Sequence, residues 1–122
     1  MKLRKILSAT FAAMLLTSSI CLASVSTETV SESTMKTKCT DQARCSIYVK
    51  NGSSYTEYRS SLSGKAAAQE IADTLGSDSV EAYTSNKILF NYLKDIGNVS
   101  DLGSMRIPGI DVYHFIFAQR YN

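Results

Sequence analysis

Asn51-Gly52 stands between two segments in which apolar and polar side chains alternate, and this pattern constrains the fold more than any other. Both residues tolerate the positive φ angles of a type I′ turn, so the pattern predicts a β-hairpin with a two-residue loop. The strands are expected over residues 45–50 and 53–59. Such a turn sets the register as Lys50 opposite Ser53, Val49 opposite Ser54, Tyr48 opposite Tyr55 and Ile47 opposite Thr56.

The two faces of this hairpin differ in character, because successive side chains of a strand point to opposite sides. The more apolar face is expected to lie in the core, and it carries Cys45, Ile47, Val49, Thr56 and Tyr58. The other face is polar and aromatic, and it carries Ser46, Tyr48, Lys50, Tyr55 and Glu57.

The chain after the hairpin shows helical and strand periodicity in turn. A helix is predicted between a cap at Ser61 or Ser63 and a stop at Gly76, and a second between a cap at Ser85 and a stop at Gly97. Strands are predicted over 79–84 and 109–121, with a loop over 98–108. The apolar stripes of the helices are Ala67, Ala68, Ile71, Ala72 and Leu75, and Ile88, Leu89, Tyr92, Leu93 and Ile96.

The predicted order of elements is therefore ββαβαβ, in an α+β fold. Right-handed crossovers would place both helices on one face of a sheet of about four strands, which makes a small two-layer sandwich. The last strand is apolar on both faces, with Val112 and His114 on one side and Phe115 and Phe117 on the other. This pattern predicts a central position for that strand.

Residues 1–23 have the layout of a cleavable secretory signal peptide. A positive start is followed by an apolar run, and small residues at Cys21 and Ala23 favour cleavage after Ala23. The run is too interrupted for a membrane span, which needs about 20 apolar residues. Lipid attachment at Cys21 is the alternative, although Ile20 is an unusual residue before a lipidated cysteine. The expected location is extracellular or periplasmic, with no stable membrane insertion after processing.

Cleavage changes both the charge and the cysteine content. Three of the 13 basic residues lie in the signal and none of the 11 acidic residues does, so the mature chain carries a net charge of −1. This balance gives no reason to expect nucleic acid as a partner. Cys39 and Cys45 are the two cysteines that remain. An oxidising compartment favours a disulfide between them, worth about 2 kcal/mol for so short a loop.

The mature chain divides into a leader and one folded domain. Residues 24–37 are rich in Ser, Thr and Glu without periodicity, which predicts a flexible leader, with an edge strand of the sheet as the alternative. Residues 38–122 form a single α+β domain, large enough for one core.

The residues that carry most enzyme chemistry are scarce, and no cofactor is expected. His114 is the one histidine, and it lies mid-strand among aliphatic neighbours. A disulfide would remove both cysteines as nucleophiles. Two cysteines and a distant histidine do not match the ligand spacing of a zinc site, and the aspartates lack that of a calcium loop.

A recognition surface is the remaining candidate site. If the helices cover the Ile47/Val49 face, Tyr48 and Tyr55 are displayed on the opposite face, flanked by Lys50 and Glu57. Tyrosine gives a large contact area at low entropic cost together with a hydroxyl group. The alternatives are that this face is buried under the leader or in a homodimer, or that the rings only stabilise the sheet.

The first functional hypothesis is a small secreted, non-enzymatic binding module that acts through protein or carbohydrate contacts. This hypothesis covers an inhibitor, an immunity-type protein and a toxin that acts on a competitor. The second hypothesis is a compact extracellular hydrolase that uses Asp or Glu residues. The third is a structural or adhesive surface element with the Ser/Thr-rich leader as its stalk.

Overall fold

The computed structural model describes residues 25–120, and the predicted signal peptide lies outside this range. No helix within it is both long and apolar enough to cross a membrane. Its nine elements are β1 (Val25–Val30), α1 (Glu32–Lys38), β2 (Ser46–Asn51), β3 (Ser54–Ser60), α2 (Gly64–Leu75), β4 (Val80–Thr84), α3 (Lys87–Ile96), β5 (Gly97–Ile107) and β6 (Ile110–Gln119).

The strands of residues 25–120 form one sheet in the order β1-β3-β2-β4-β6-β5, with every neighbouring pair antiparallel. The prediction of a four-stranded ββαβαβ sandwich with two helices is wrong, because the sheet has six strands and a third helix packs on it. The α+β class is correct. β3 and β4 run parallel to each other but are not neighbours, because β2 lies between them. β4 and β5 are also parallel, and β6 lies between them. The final strand therefore lies inside the sheet, between β4 and β5.

Both edges of the sheet come from segments in which the sequence shows no strand pattern. β1 lies in the segment predicted as a flexible leader, and it pairs with β3 from Val25 opposite Ser60 to Val30 opposite Tyr55. β5 occupies the segment predicted as a loop and pairs with β6. A bulge between Asp101 and Gly103 interrupts this ladder. Such a bulge hinders the pairing of an exposed edge strand with other chains.

The hairpin of β2 and β3 forms where it was predicted, but its register differs by two residues. Asn51 pairs with Ser54, so Gly52 and Ser53 are the turn residues. The φ of Gly52 is 62°, and no described non-glycine residue has a positive φ, which fits a type II′ turn with glycine first. A shift of two residues leaves each side chain on its predicted face. Tyr48 lies opposite Glu57 instead of Tyr55.

The larger core lies between the sheet and the helix pair α2 and α3. Ser63 is the N-cap residue of α2, and the Asn86 side chain caps α3 by accepting from the Leu89 amide, in place of the predicted Ser85. Ile88, expected in the apolar stripe of α3, is 63% exposed. The buried members of this helix-side core are Ile47, Val49, Ala67, Ala68, Ile71, Ala72, Ala82, Leu89, Phe90, Leu93, Phe115 and Phe117.

A second, smaller core lies on the opposite face of the sheet, under α1. The Ser31 side chain caps this helix by accepting from the Thr34 amide. Seven residues are too few for a helix to be stable by itself, so packing of Met35 and Cys39 must hold α1 in place. The buried members of this α1-side core are Val30, Met35, Cys39, Tyr48, Tyr55, Tyr83 and Val112.

Candidate functional site

Glu57 is a buried carboxylate at the centre of a hydrogen-bonded cluster on the α1 side of the sheet. The residue is 3% exposed. Arg44 Nε donates to its Oε2 over 2.7 Å, and Lys38 Nζ donates to its Oε1 over 3.1 Å. The hydroxyl groups of Ser46 and Tyr48 donate to Oε2 over 2.7 and 3.0 Å. The carboxylate is thus surrounded by cations and donors from α1, the following loop and β2.

The donors outweigh the effect of burial on the ionisation of Glu57. Burial by itself raises the pKa of this carboxyl group, whereas the hydrogen bonds from Arg44, Ser46 and Lys38 lower it, and the resulting pKa is about 2. Glu57 is therefore charged near neutral pH. It ties α1 and the loop after it to the sheet.

We expect the free energy of unfolding to fall by about 3 kcal/mol between about pH 5 and pH 2 because of this group. The pKa of Glu57 is lower in the folded chain than in the unfolded chain, so the unfolded chain takes up the proton first as the pH falls. Urea unfolding at a series of pH values measures the effect. The Glu57→Gln variant should lack this component, and identical pH profiles for the two proteins would contradict the assignment.

The four predicted binding residues lie on one face of the sheet, as expected, but α1 covers most of them. Tyr48 is 2% exposed and Tyr55 is 4% exposed, while Glu57 is the buried carboxylate described above. The Tyr55 hydroxyl donates to Glu32 of α1 over 3.4 Å. Only Lys50 is exposed to solvent. A contact surface made of these residues therefore stays a prediction, and it requires α1 to be displaced.

The predicted disulfide between Cys39 and Cys45 is not present, and both thiols are free. The physical reason is that the two side chains pack on opposite faces of the sheet. Cys39 is buried in the α1-side core, whereas Cys45 packs against the helix-side core. The Asn86 amide donates to Cys45 Sγ over 3.7 Å, and the Cys39 thiol contacts Met35 Sδ at 3.8 Å.

A groove of about 570 Å³ opens where β2 begins and β3 ends, beside β1. We call it the Arg59 groove, lined chiefly by Ser26, Asp41, Arg44, Cys45, Arg59 and Ser61. No sequence motif indicates this site, because its residues come from three separate segments. Ser26 and Arg59 meet there because they are partners in the β1–β3 ladder.

The polar side chains that line the Arg59 groove differ in how far other residues already engage them. Arg59 is exposed, and its guanidinium has no hydrogen-bond or ion-pair partner within residues 25–120. Arg44 uses two of its nitrogens on Glu57. One oxygen of Asp41 accepts the Ala43 amide at 3.1 Å, and the Ser60 hydroxyl donates to Glu70. The guanidinium of Arg59, with five N–H donors, is the strongest unused group.

His114 lies outside the groove, on the α1 side of β6. Its ring stacks on Tyr83 with a centroid separation of 4.2 Å, and its Nε2 lies 2.7 Å from Glu81 Oε2. The Tyr83 ring in turn contacts the edge of Tyr55. The histidine is half-buried, and one of its ring nitrogens is hydrogen-bonded to the carboxylate.

Within residues 25–120, no three His, Cys, Asp or Glu side chains are grouped so that they could hold a metal ion. Comparison of the chain with protein-family models, with curated proteins and with solved structures found no match. The function is therefore argued from the chemistry of these residues.

Proposed function

We propose that the protein is a small secreted, non-enzymatic binding module that holds a carboxylate group of a protein partner in the Arg59 groove. The observation that carries the proposal is the exposed, unpaired guanidinium of Arg59 in a groove of about 570 Å³. Ligand sites in proteins usually enclose about 300–1,000 Å³. The groove can thus hold an acidic side chain or a chain terminus together with its neighbours.

Arginine is suited to carboxylates because its planar group offers two parallel N–H donors to the two carboxylate oxygens. The hydroxyl groups of Ser26 and Ser61 stand beside Arg59 as further donors. A protein partner is favoured over a carbohydrate because no aromatic ring on which a sugar could stack is among the described residues that line the groove.

The hydrolase hypothesis has less support than the binding module, because the carboxylates of the sheet are poorly suited to catalysis. Glu28 and Glu57 are partners in the β1–β3 ladder, and Lys38 binds both, at 3.3 and 3.1 Å. A general acid must hold a proton near the working pH and reach the substrate. Glu57 is buried and its pKa is about 2, so it meets neither condition.

The hypothesis of a surface element with residues 24–37 as a stalk also has less support than the binding module. Residues 25–30 of that segment are paired in the sheet, and residues 32–38 form the helix that covers the α1-side core. A flexible stalk would need these residues to be free.

The test is a titration of the mature chain, residues 24–122, with a hexaglutamate peptide. We expect NMR shifts confined to the Arg59 groove, including the Arg59 Nε–H, and an affinity that falls about tenfold to a hundredfold in Arg59→Gln. This range corresponds to the loss of a charge-assisted hydrogen bond, about 1.5–3 kcal/mol.

Arg106→Gln is the matched control, because Arg106 is also an exposed arginine but lies near the tip of the β5–β6 hairpin. It should leave the affinity unchanged. Equal losses in the two variants would show an effect of net charge alone and would contradict the site. A hexaglutamine peptide should not bind, and tighter binding of an acidic oligosaccharide would favour the carbohydrate alternative.

A further inference from the structure

The two thiols of residues 25–120 lie close together in sequence but pack on opposite faces of the sheet. Cys39 is the C-cap residue of α1 and is fully buried in the α1-side core. Cys45 immediately precedes β2, is half-buried, and contributes to the Arg59 groove. Residues 40–43 between them are exposed, whereas Arg44 is half-buried and bound to Glu57. A connection of five residues is long enough for the two sulfur atoms to meet once one segment moves.

A disulfide between them is incompatible with the docked position of α1. Such a bond needs a sulfur–sulfur distance of about 2.05 Å and Cα atoms about 4.4–6.8 Å apart. The two side chains pack on opposite faces of the sheet, so one of them must leave its core before they can bond.

Cys45 is the less mobile of the two. Its carbonyl accepts the Ser60 amide over 2.9 Å, its sulfur accepts from Asn86, and the strand that follows is paired on both sides. α1 has seven residues and is held on the sheet by side chains, chiefly Met35 and Cys39 together with the Lys38–Glu57 ion pair. The short helix is therefore the element that can detach.

We propose that Cys39 and Cys45 form a thiol–disulfide switch, in which oxidation releases α1 from the sheet and reduction allows it to dock again. The surface that α1 covers contains Tyr48, Tyr55 and Tyr83, which are 2%, 4% and 8% exposed in the reduced form. We call these three residues the tyrosine face. Two of them belong to the recognition surface that the sequence predicts, so the oxidised form would display it. The switch does not depend on binding in the Arg59 groove.

The oxidant required is a low-molecular-weight disulfide. The thiolate of Cys45, the more exposed cysteine, attacks one sulfur of this disulfide, forms a mixed disulfide and releases one small thiol. The thiolate of Cys39 then attacks the Cys45 sulfur and releases the second small thiol. The two cysteines lose two electrons, the small disulfide gains them, and the two protons end on the released thiols. Burial raises the pKa of Cys39 to about 11 in the docked state, so the second step follows the departure of α1.

The experiment is to incubate the reduced mature chain with an excess of oxidised glutathione. Intact-mass analysis should show a product lacking two hydrogen atoms and carrying no glutathione. In this product, amide hydrogen exchange over residues 32–38 should be faster by about tenfold or more, and the tyrosine fluorescence should become more accessible to quenching by acrylamide. Dithiothreitol should reverse both changes.

Cys39→Ala and Cys45→Ala are the controls, because each lacks one partner of the disulfide. Neither should show a change of exchange in α1 when oxidised glutathione is added. An internal disulfide in the wild-type chain without faster exchange over residues 32–38 would overturn the proposal. A wild-type chain that stops at a mixed disulfide on Cys45 would overturn it as well.

Discussion

Replacing Glu57 with glutamine is expected to lower the free energy of unfolding by about 3 kcal/mol and the melting temperature by about 15 °C. The variant keeps the shape of the side chain but removes its charge. Arg44 and Lys38, whose side chains are 19% and 22% exposed, then lose their buried counter-ion. The hydroxyl groups of Ser46 and Tyr48 also lose a charged acceptor. Urea and thermal unfolding of residues 24–122 measure the change.

Glu28→Gln is the matched control for this prediction. Glu28 binds the same lysine at 3.3 Å, but its side chain is 65% exposed, so water and salt screen the pair. Its replacement should change the free energy of unfolding by no more than about 0.5 kcal/mol. Similar losses in the two variants would mean that the Glu57 cluster is not the buried anchor described above.

The second large effect is expected for Met35→Ala, also about 3 kcal/mol of unfolding free energy. Met35 is fully buried and is the main apolar side chain that holds α1 on the sheet. Its truncation removes the contacts with the α1-side core and leaves a cavity. Chemical unfolding measures the loss, and faster amide exchange over residues 32–38 would locate it.

Lys36→Ala serves as the control on the same helix. The side chain of Lys36 is 45% exposed, and within the described part of the chain its one ion pair is with Glu32, four residues earlier. Its removal is worth about 0.5 kcal/mol or less. If Met35→Ala were no more destabilising than Lys36→Ala, the segment would behave as the flexible leader that its composition suggests, and α1 would not be part of the fold.

The elements with strong local periodicity were predictable from the sequence. The hairpin strands, α2, α3 and the final strand all lie close to their expected positions. Their apolar side chains recur at the spacing of a strand or a helix, and this pattern depends only on near neighbours in the chain. The hairpin register was wrong because Asn51 pairs in the ladder, leaving Gly52 as the first turn residue.

α1 and β5 were missed, and β1 was foreseen only as the edge-strand alternative to a flexible leader, because the stability of all three comes from distant partners. Val25, Val30 and Met35 are the sizeable apolar residues of the first segment, and each packs against a core built by other elements. β5 contains few apolar residues and has a bulge, but its backbone pairs with β6 along almost its whole length. Composition does not reveal such pairing, because hydrogen bonds between strands use the main chain.

For the candidate sites as well, local periodicity predicted some features, while others depend on contacts between distant segments. Alternation along the hairpin placed Tyr48, Lys50, Tyr55 and Glu57 correctly on one face, yet it could not tell whether that face is open. The answer depends on α1, whose docking is a property of the assembled core. The Arg59 groove had no signal in the sequence, because Ser26, Arg44 and Arg59 meet only when β1 pairs with β3.

The sequence by itself determined the alternation of faces, the paired helices on one side of the sheet and an interior place for the last strand, since side-chain periodicity encodes each of these locally. The tertiary structure decided the number of strands, the burial of the tyrosine face, the separation of the two thiols and the exposure of Arg59. These depend on which distant segments lie against each other. Bringing distant segments together costs conformational entropy, and such contacts form only because the free energy gained by the whole core offsets this cost.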